Sequence, residues 1–377
     1  MSQFSLNTGR KLNKHSRMVF FALGVVIALN FFSIFLVNND MLYDFNTFVE
    51  AGRSLAAGEN PYQYDLTGSR NLNPPISLFF FRFLANTDPL WALWSFRIVS
   101  LLLYLCILYI LAKRYREYNS PIRILWALSM GAIWYTLWTG QIYAILLAIT
   151  TAAWLLLKRN PWSAGVLIGI LAAIKPNFIV WPILLLVSGN WRSAVTSLVS
   201  FGVLSILPVL SFGPEIYRSY LDLLLAYRAT ELPNNITLYG ISDRIGYPVL
   251  GVALSIIVFV GLTVFVWRKR PSALETSAVA LPSTLLLSPL AWIGYTIMLL
   301  PLFFSRSWSK RLTAAAILLL FPGILVFATS RMPFWIMFSA SLVYPTALVL
   351  ILIDVLMPLF GKNNHKSDTS EQRSMLN

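Results

Sequence analysis

The sequence predicts an all-α polytopic membrane protein, and three observations predict it. Of the 377 residues, 57% are hydrophobic and only 12% are charged, about half the charge of an ordinary soluble domain. The apolar residues fall in long blocks, near the ~20 residues that a helix needs to cross a bilayer. Short basic clusters separate these blocks and alternate with acidic loops, the pattern that positive-inside topology leaves behind. Twenty of the 29 Lys and Arg residues lie in the segments assigned to the inner side. The net charge of +14 therefore orients the chain and does not recruit nucleic acid.

In chain order, residues 1–17 form a basic cytoplasmic tail. Run 18–37 is the first span; it is too long for a signal-peptide core and has no small-residue cleavage site after it. Residues 38–88 make a large outer loop. Within it, "NPPISLFFFRFLA" (73–85) is too short to cross and is expected to be a re-entrant or interfacial helix opened by Pro74 and Pro75. Run 89–112 returns inside, and runs 122–138 and 141–157 turn outside at Thr139-Gly140. Runs 162–174 and 176–188 are broken at Lys175-Pro176, because proline removes a backbone donor and disfavours helix at the residue before it. Run 193–212 leads to a second large outer loop, 213–247, and run 248–267 ends at "WRKR". Runs 273–288 and 290–304 pair around Ser288-Pro289, and 311–328 with 333–358 completes about twelve spans. The transmembrane unit is thus 18–360, with both termini inside and a polar, disordered tail over 361–377. No internal repeat is visible.

Composition narrows the chemistry. A single cysteine, Cys106, inside an apolar run allows neither a disulfide framework nor a cysteine metal site. Both histidines, His15 and His365, lie in the polar tails. Asp354 is the clearest ionisable residue inside a span, and it lies near the cytoplasmic end. So few charges at mid-membrane, without repeated halves, argue against a transporter or lipid flippase. A non-catalytic polysaccharide-assembly protein is the other alternative.

The outer loops hold the candidate residues. Asp44 opens a stretch with Phe45, Phe48, Val49, Gly52 and Leu55 at helical spacing, an amphipathic helix suited to the membrane surface. Its carboxylate is either a helix N-cap or a base facing a substrate there, whereas Asp40 and Glu50 read as solvated charges. Lys175 either snorkels to the interface or serves a function, since a lysine at an outer hairpin tip runs against the charge bias. Tyr62 and Tyr64 read as interfacial anchors. Arg53, Arg70, Arg82, Arg218, Arg228, Arg244 and Arg331 also lie outside, where an arginine can bind phosphate. Asn235-Ile236-Thr237 fits a glycosylation sequon.

Several stretches occur together and in order: "DFNTFVEAGRSLAAGENPY" (44–62), "NPP" (73–75), "GQIYAILLAI" (140–149), "AGVLIGILAAIKPNFIVWPILLL" (164–186), "NNITLYGISDRI" (234–245) and "LLLSPLAWIGYTIMLLP" (285–301). With them the chain resembles glycosyltransferase family 87. The resemblance implies a C-type glycosyltransferase fold in the plasma membrane, with its active site on the extracytoplasmic face. It implies transfer of a sugar, mannose in characterised members, from a polyprenyl-phosphate carrier to a cell-envelope lipid or glycan. Asp44 matches the aspartate proposed as catalytic base in that family, and Lys175 falls near the donor phosphate, with Arg244 as a further phosphate ligand. Tyr62, Asn235 and Tyr295 are the candidate substrate-binding residues. Many relatives carry a histidine shortly after the tryptophan of the "SP..W" motif; here the sequence is Trp292-Ile293-Gly294-Tyr295, so that role is missing or passes to Tyr295. One base and a cationic phosphate site suffice for a single displacement. With no Asp-x-Asp pair in the outer loops, the expectation is an inverting reaction without metal or other cofactor.

Overall fold

The computed structural model describes residues 14–36, 43–62, 71–226 and 232–361. Residues 1–13 and 362–377, and with them the tail assignments, lie outside the described residues, as do Asp40, Tyr64, Arg70 and Arg228. The described residues are helical, with one isolated antiparallel bridge between Asn235 and Trp292.

The chain begins with α1 (Lys14–Leu36) and the amphipathic α2 (Tyr43–Ala56). A ten-residue helical unit, α3 (Pro75–Leu84), follows as a short element, matching its apolar length. Phe48 of α2 stacks on Phe81 of α3 at 4.5 Å. Asp88 then caps α4 (Pro89–Arg114), its carboxylate accepting from the Leu90 and Trp91 amides. The chain continues through α5 (Pro121–Ser129), α6 (Gly131–Thr139), α7 (Tyr143–Leu156), α8 (Pro161–Ile174) and α9 (Pro176–Val187). Next come α10 (Trp191–Phe212), α11 (Glu215–Ala226), α12 (Leu238–Arg244), α13 (Pro248–Lys269) and α14 (Ala273–Leu287). The last helices are α15 (Ile293–Phe304), α16 (Lys310–Leu318), α17 (Gly323–Arg331), α18 (Phe334–Ser341) and α19 (Val343–Gly361).

Four helical stretches are long and apolar enough to cross a membrane: α4, α10, α13 and the run Phe334–Gly361. The α16–α17 pair, bent by 58°, makes a fifth if it counts as one span. Of the dozen expected spans, four or five are therefore long enough among the described residues, and the other apolar runs form shorter helices. Two runs that read as one rod are bent or split. Run 122–138 is interrupted at Met130 and run 311–328 between Leu318 and Gly323.

In an apolar environment a break costs heavily unless its freed carbonyls are paired. Here they are. Tyr104 donates to the Ala127 carbonyl at 2.7 Å, the Trp134 indole to Leu128 at 2.8 Å, the Gly131 amide to Leu319 at 3.0 Å and Tyr344 to Phe321 at 2.6 Å. These side chains and amides splice the broken rods together.

One splice positions everything that follows. Arg97, buried in α4, donates through Nε to the Leu137 carbonyl at 2.7 Å and through Nη2 to Trp138 at 3.0 Å, while its guanidinium covers the Trp94 ring. The carbonyls of a last helical turn lack internal partners and carry partial negative charge, so a cation there closes α6. Gly140 then turns the chain with φ +67. A Cβ at Gly140 would lie 2.8 Å from Cβ of Phe45, so the turn sits flush against the start of α2. Gly140→Ala forces a left-handed residue and an overlap together, which costs roughly 1–3 kcal/mol. The thermal midpoint of the detergent-solubilised variant falls by several degrees; an unchanged midpoint would show that this contact does not exist.

Candidate active site

Proline sets the site's cationic corner. Pro176 pushes Lys175 out of the helical region; its backbone lies at φ −139, ψ 94, ending α8, and the helix resumes at Pro176. The side chain is 8% exposed. Its ammonium donates to Oδ1 of Asn73 at 2.7 Å and lies 5.7 Å from the centroid of the Tyr295 ring. A cation over an aromatic face is stabilised by the ring quadrupole, more so when desolvated.

Asn73 is itself held on every side. Its backbone amide and side-chain Nδ2 both donate to Oδ1 of Asn71, at 3.1 and 3.0 Å. Its carbonyl accepts from the Tyr62 hydroxyl at 2.9 Å, and the Tyr62 ring packs on Tyr220 of α11 at 5.4 Å. Tyr62 thus supports the loop that carries the lysine's acceptor, beyond any anchoring role at a membrane interface.

Asp44 occupies the first turn of α2, where an acid complements the helix dipole. It lies inside the helix and not at its N-cap. The side chain of Gln141, the residue after the Gly140 turn, faces its carboxylate and favours the ionised form. Burial pushes the Asp44 carboxyl above its ordinary range, opposed by the Gln141 hydrogen bond and then by the Lys175 charge. Burial pushes the Lys175 ammonium down to about 8, opposed by the Asp44 charge. Each charge acts on the other, so the two candidates fall in one cluster.

Tyr295 closes the cluster. Its ring meets that of Tyr143 at 4.6 Å and Phe178 at 6.2 Å. Gly294 permits this, because a Cβ there would lie 2.3 Å from the Tyr143 ring. A cavity of about 380 Å³ opens beside Lys175, lined by Leu72, Asn177, Tyr220, Trp292 and Tyr295 among others. Most of its remaining wall is Pro, Leu, Ile and Val, so it offers one cation within a largely apolar surround. Asp44, half-buried, is not part of that lining.

Asn235 and Arg244 build the wall and do not line the cavity. Oδ1 of Asn235 accepts from the Ala291 amide and from Thr237 Oγ1, and its Nδ2 donates to the Pro289 carbonyl. The Ile236 amide donates to Ala291 at 2.9 Å and the Ile293 amide to Asn234 at 3.2 Å. The segment before α12 is thereby sewn to the 288–292 turn. Arg244 donates through Nη1 to the carbonyls of Leu232 and Asn235, at 2.9 and 3.1 Å. Burial pulls it down to about 10, opposed by Asp243, and its Nε and Nη2 have no partner among the described residues.

Asn73, Gln141 and Tyr143 were not among the candidates read from composition. Their signal was a polar residue interrupting an apolar run, as in "GQIYA", where a surface loop would need no particular side chain.

The model of glycosyltransferase family 87 matches residues 71–289, more than half of the chain. The chain belongs to this family. It is a membrane glycosyltransferase, acting on a donor and an acceptor. The match spans Asn73, Gln141, Lys175, Asn235 and Arg244, while Asp44 and Tyr295 lie outside it. No curated protein and no solved structure matches.

The buried sequon yields a prediction. Asn235 is fully buried and its amide is engaged, so the protein made in a glycosylating host stays unmodified at Asn235 by intact mass. Asn235→Ala strands the Ala291 amide and the Pro289 carbonyl and lowers stability by roughly 2–3 kcal/mol, read as a fall in thermal midpoint. A glycan at Asn235, or an unshifted midpoint, would refute this assignment.

Proposed function

We propose that this family 87 enzyme transfers a sugar, mannose as first choice, from a polyprenyl-phosphate carrier to a cell-envelope lipid or glycan. The reaction runs at the extracytoplasmic face of the plasma membrane, inverts the anomeric centre and uses no metal. The observation that carries this reading is the buried Lys175 ammonium opening onto a largely apolar cavity, with Asp44 near enough for each charge to act on the other.

The chemistry follows from the two charges. The acceptor hydroxyl gives its proton to the Asp44 carboxylate as its oxygen bonds to the anomeric carbon. The bond from that carbon to the phosphate oxygen breaks, and its electron pair leaves with the polyprenyl phosphate. Lys175 meets the charge that develops there, as a preorganised cation does best in a site shielded from water. A carboxyl raised by burial suits proton abstraction, because a catalytic base works best near the operating pH. An ammonium near 8 is still mostly protonated at neutral pH. The apolar wall suits an isoprenoid chain, and Asp44 lies outside the cavity lining, which leaves the acceptor a separate approach. Arg244, with two unpartnered N–H groups, is proposed as a further phosphate donor, and Tyr295 as the platform for Lys175.

A transporter reading fares worse. Broken helices in transporters coordinate ions with unwound carbonyls, whereas the carbonyls at these breaks accept from Tyr104, Trp134, Gly131 and Tyr344.

The test uses membranes containing the protein, incubated separately with labelled polyprenyl-phosphate mannose, arabinose and glucose, following label into the lipid and glycan fractions. Transfer occurs with one donor. Asp44→Asn lowers it by ~10²–10⁴-fold, the usual contribution of a positioned base, and retains donor binding. Lys175→Met loses both transfer and donor binding. Asp44→Asn at wild-type rate, or no transfer from any of the three donors, would overturn the proposal.

A further inference from the structure

Two neutral amides stand against the two charged groups. Gln141 and Asn73 come from different elements, the turn between α6 and α7 and the loop before α3. Each has geometry to do more than fill space. Gln141 follows Gly140, whose backbone abuts Phe45, the neighbour of Asp44, so its amide faces the carboxylate from a fixed position. Asn73 is braced by Asn71 and Tyr62 and presents only its Oδ1 to the ammonium.

We infer that Gln141 and Asn73 are positioning residues: one supplies the N–H that aims Asp44 and keeps it anionic, the other the oxygen that aims Lys175 and keeps it cationic. The inference rests on the roles given above to Asp44 and Lys175, but it concerns their supports. Neither amide touches the reacting atoms. The pairing is directional, because swapping the two groups would disfavour both charges: a carbonyl oxygen beside a carboxylate repels it, and an N–H beside an ammonium does the same. Hydrogen bonding to the charged form favours that form.

The other groups facing the pair do not supply these effects. Asp44 is faced by Lys175 and by the phenols of Tyr143 and Tyr295. On its own helix, Glu50 and Arg53 pair with each other at 2.9 Å in the open. Lys175 is faced by Asp44 and the Tyr295 ring. The phenols are uncharged near neutral pH, so the two amides are the neutral groups able to bias both charges together.

The experiment measures titration directly, on the purified full chain in detergent without donor, so its result is independent of whether the proposed donor is right. Infrared difference spectra, with the Asp44→Asn protein as subtraction reference, follow ionisation of Asp44. Trace acetylation with acetic anhydride across pH, read by mass spectrometry, follows Lys175. Gln141→Leu moves the Asp44 midpoint up by roughly one pH unit, the size expected for one hydrogen bond to an ionised group. Asn73→Leu moves the Lys175 midpoint down by a similar amount, and the isosteric Asn73→Asp moves it up. If Gln141→Leu does not fold, the unbranched Gln141→Met carries the test, since it keeps the side chain's length and removes the N–H. A merely structural role would lower stability and leave both midpoints where the wild type has them, and that result would overturn the inference.

Discussion

The site depends on one awkward fact, an ammonium taken out of water. Lys175 is buried at the tip between two short helices, and an unpaired buried charge costs far more than a fold can absorb. Its surroundings answer that cost from three directions: the Asn73 oxygen, the Tyr295 ring and the Asp44 charge. Burial still wins in part, since the ammonium is held down near 8 and not at its ordinary value of 10.5. The result is a cation that stays charged at neutral pH yet remains hungry for an anion. A phosphate arriving in the adjoining cavity would relieve both Lys175 and its surroundings, and this differential interaction is what a leaving-group site needs.

Three connections that are remote in sequence hold that arrangement. Arg97 closes the end of α6 and fixes the Gly140 turn, which brings Gln141 to Asp44. Asn73 ties Lys175 to the loop before α3, and Tyr62 ties the same loop to α11. Asn235 stitches the segment before α12 to the turn before Tyr295. Apart from the cations Arg97 and Lys175, these bonds are made by neutral amides, hydroxyls and backbone groups. In an apolar setting that choice is economical, because each polar atom satisfied by another leaves no net charge to desolvate.

How much of this the sequence announced varies by residue. The break at Lys175-Pro176 was legible, because proline chemistry acts on its immediate neighbour whatever the tertiary context. The shortness of α3 was legible from its apolar length. The breaks at Met130 and between Leu318 and Gly323 were not, since the residues there are apolar and the carbonyls they free are paired by distant Tyr104, Trp134 and Tyr344. Arg97 was hidden by its place inside an apolar run, where its partners are backbone atoms forty residues on. Asp44 showed the opposite limit: spacing allowed both a cap and a reactive acid, and its place inside the first turn of α2 removes the cap. Local signals survive translation into sequence, and pairings across the fold do not.

Tyr295 shows how the same corner can be built with different chemistry. A histidine in its place would titrate near neutrality, and when charged it would repel Lys175 and compete with it for Asp44. Tyrosine instead presents a π face to the ammonium at 5.7 Å and carries no positive form. Its ring is in turn fixed by Tyr143, through the space that Gly294 leaves open. The positive charge lining the cavity is thereby concentrated on one residue. In the proposed reaction Lys175 meets the phosphate as a single point charge, whose three N–H donors can follow it as it departs.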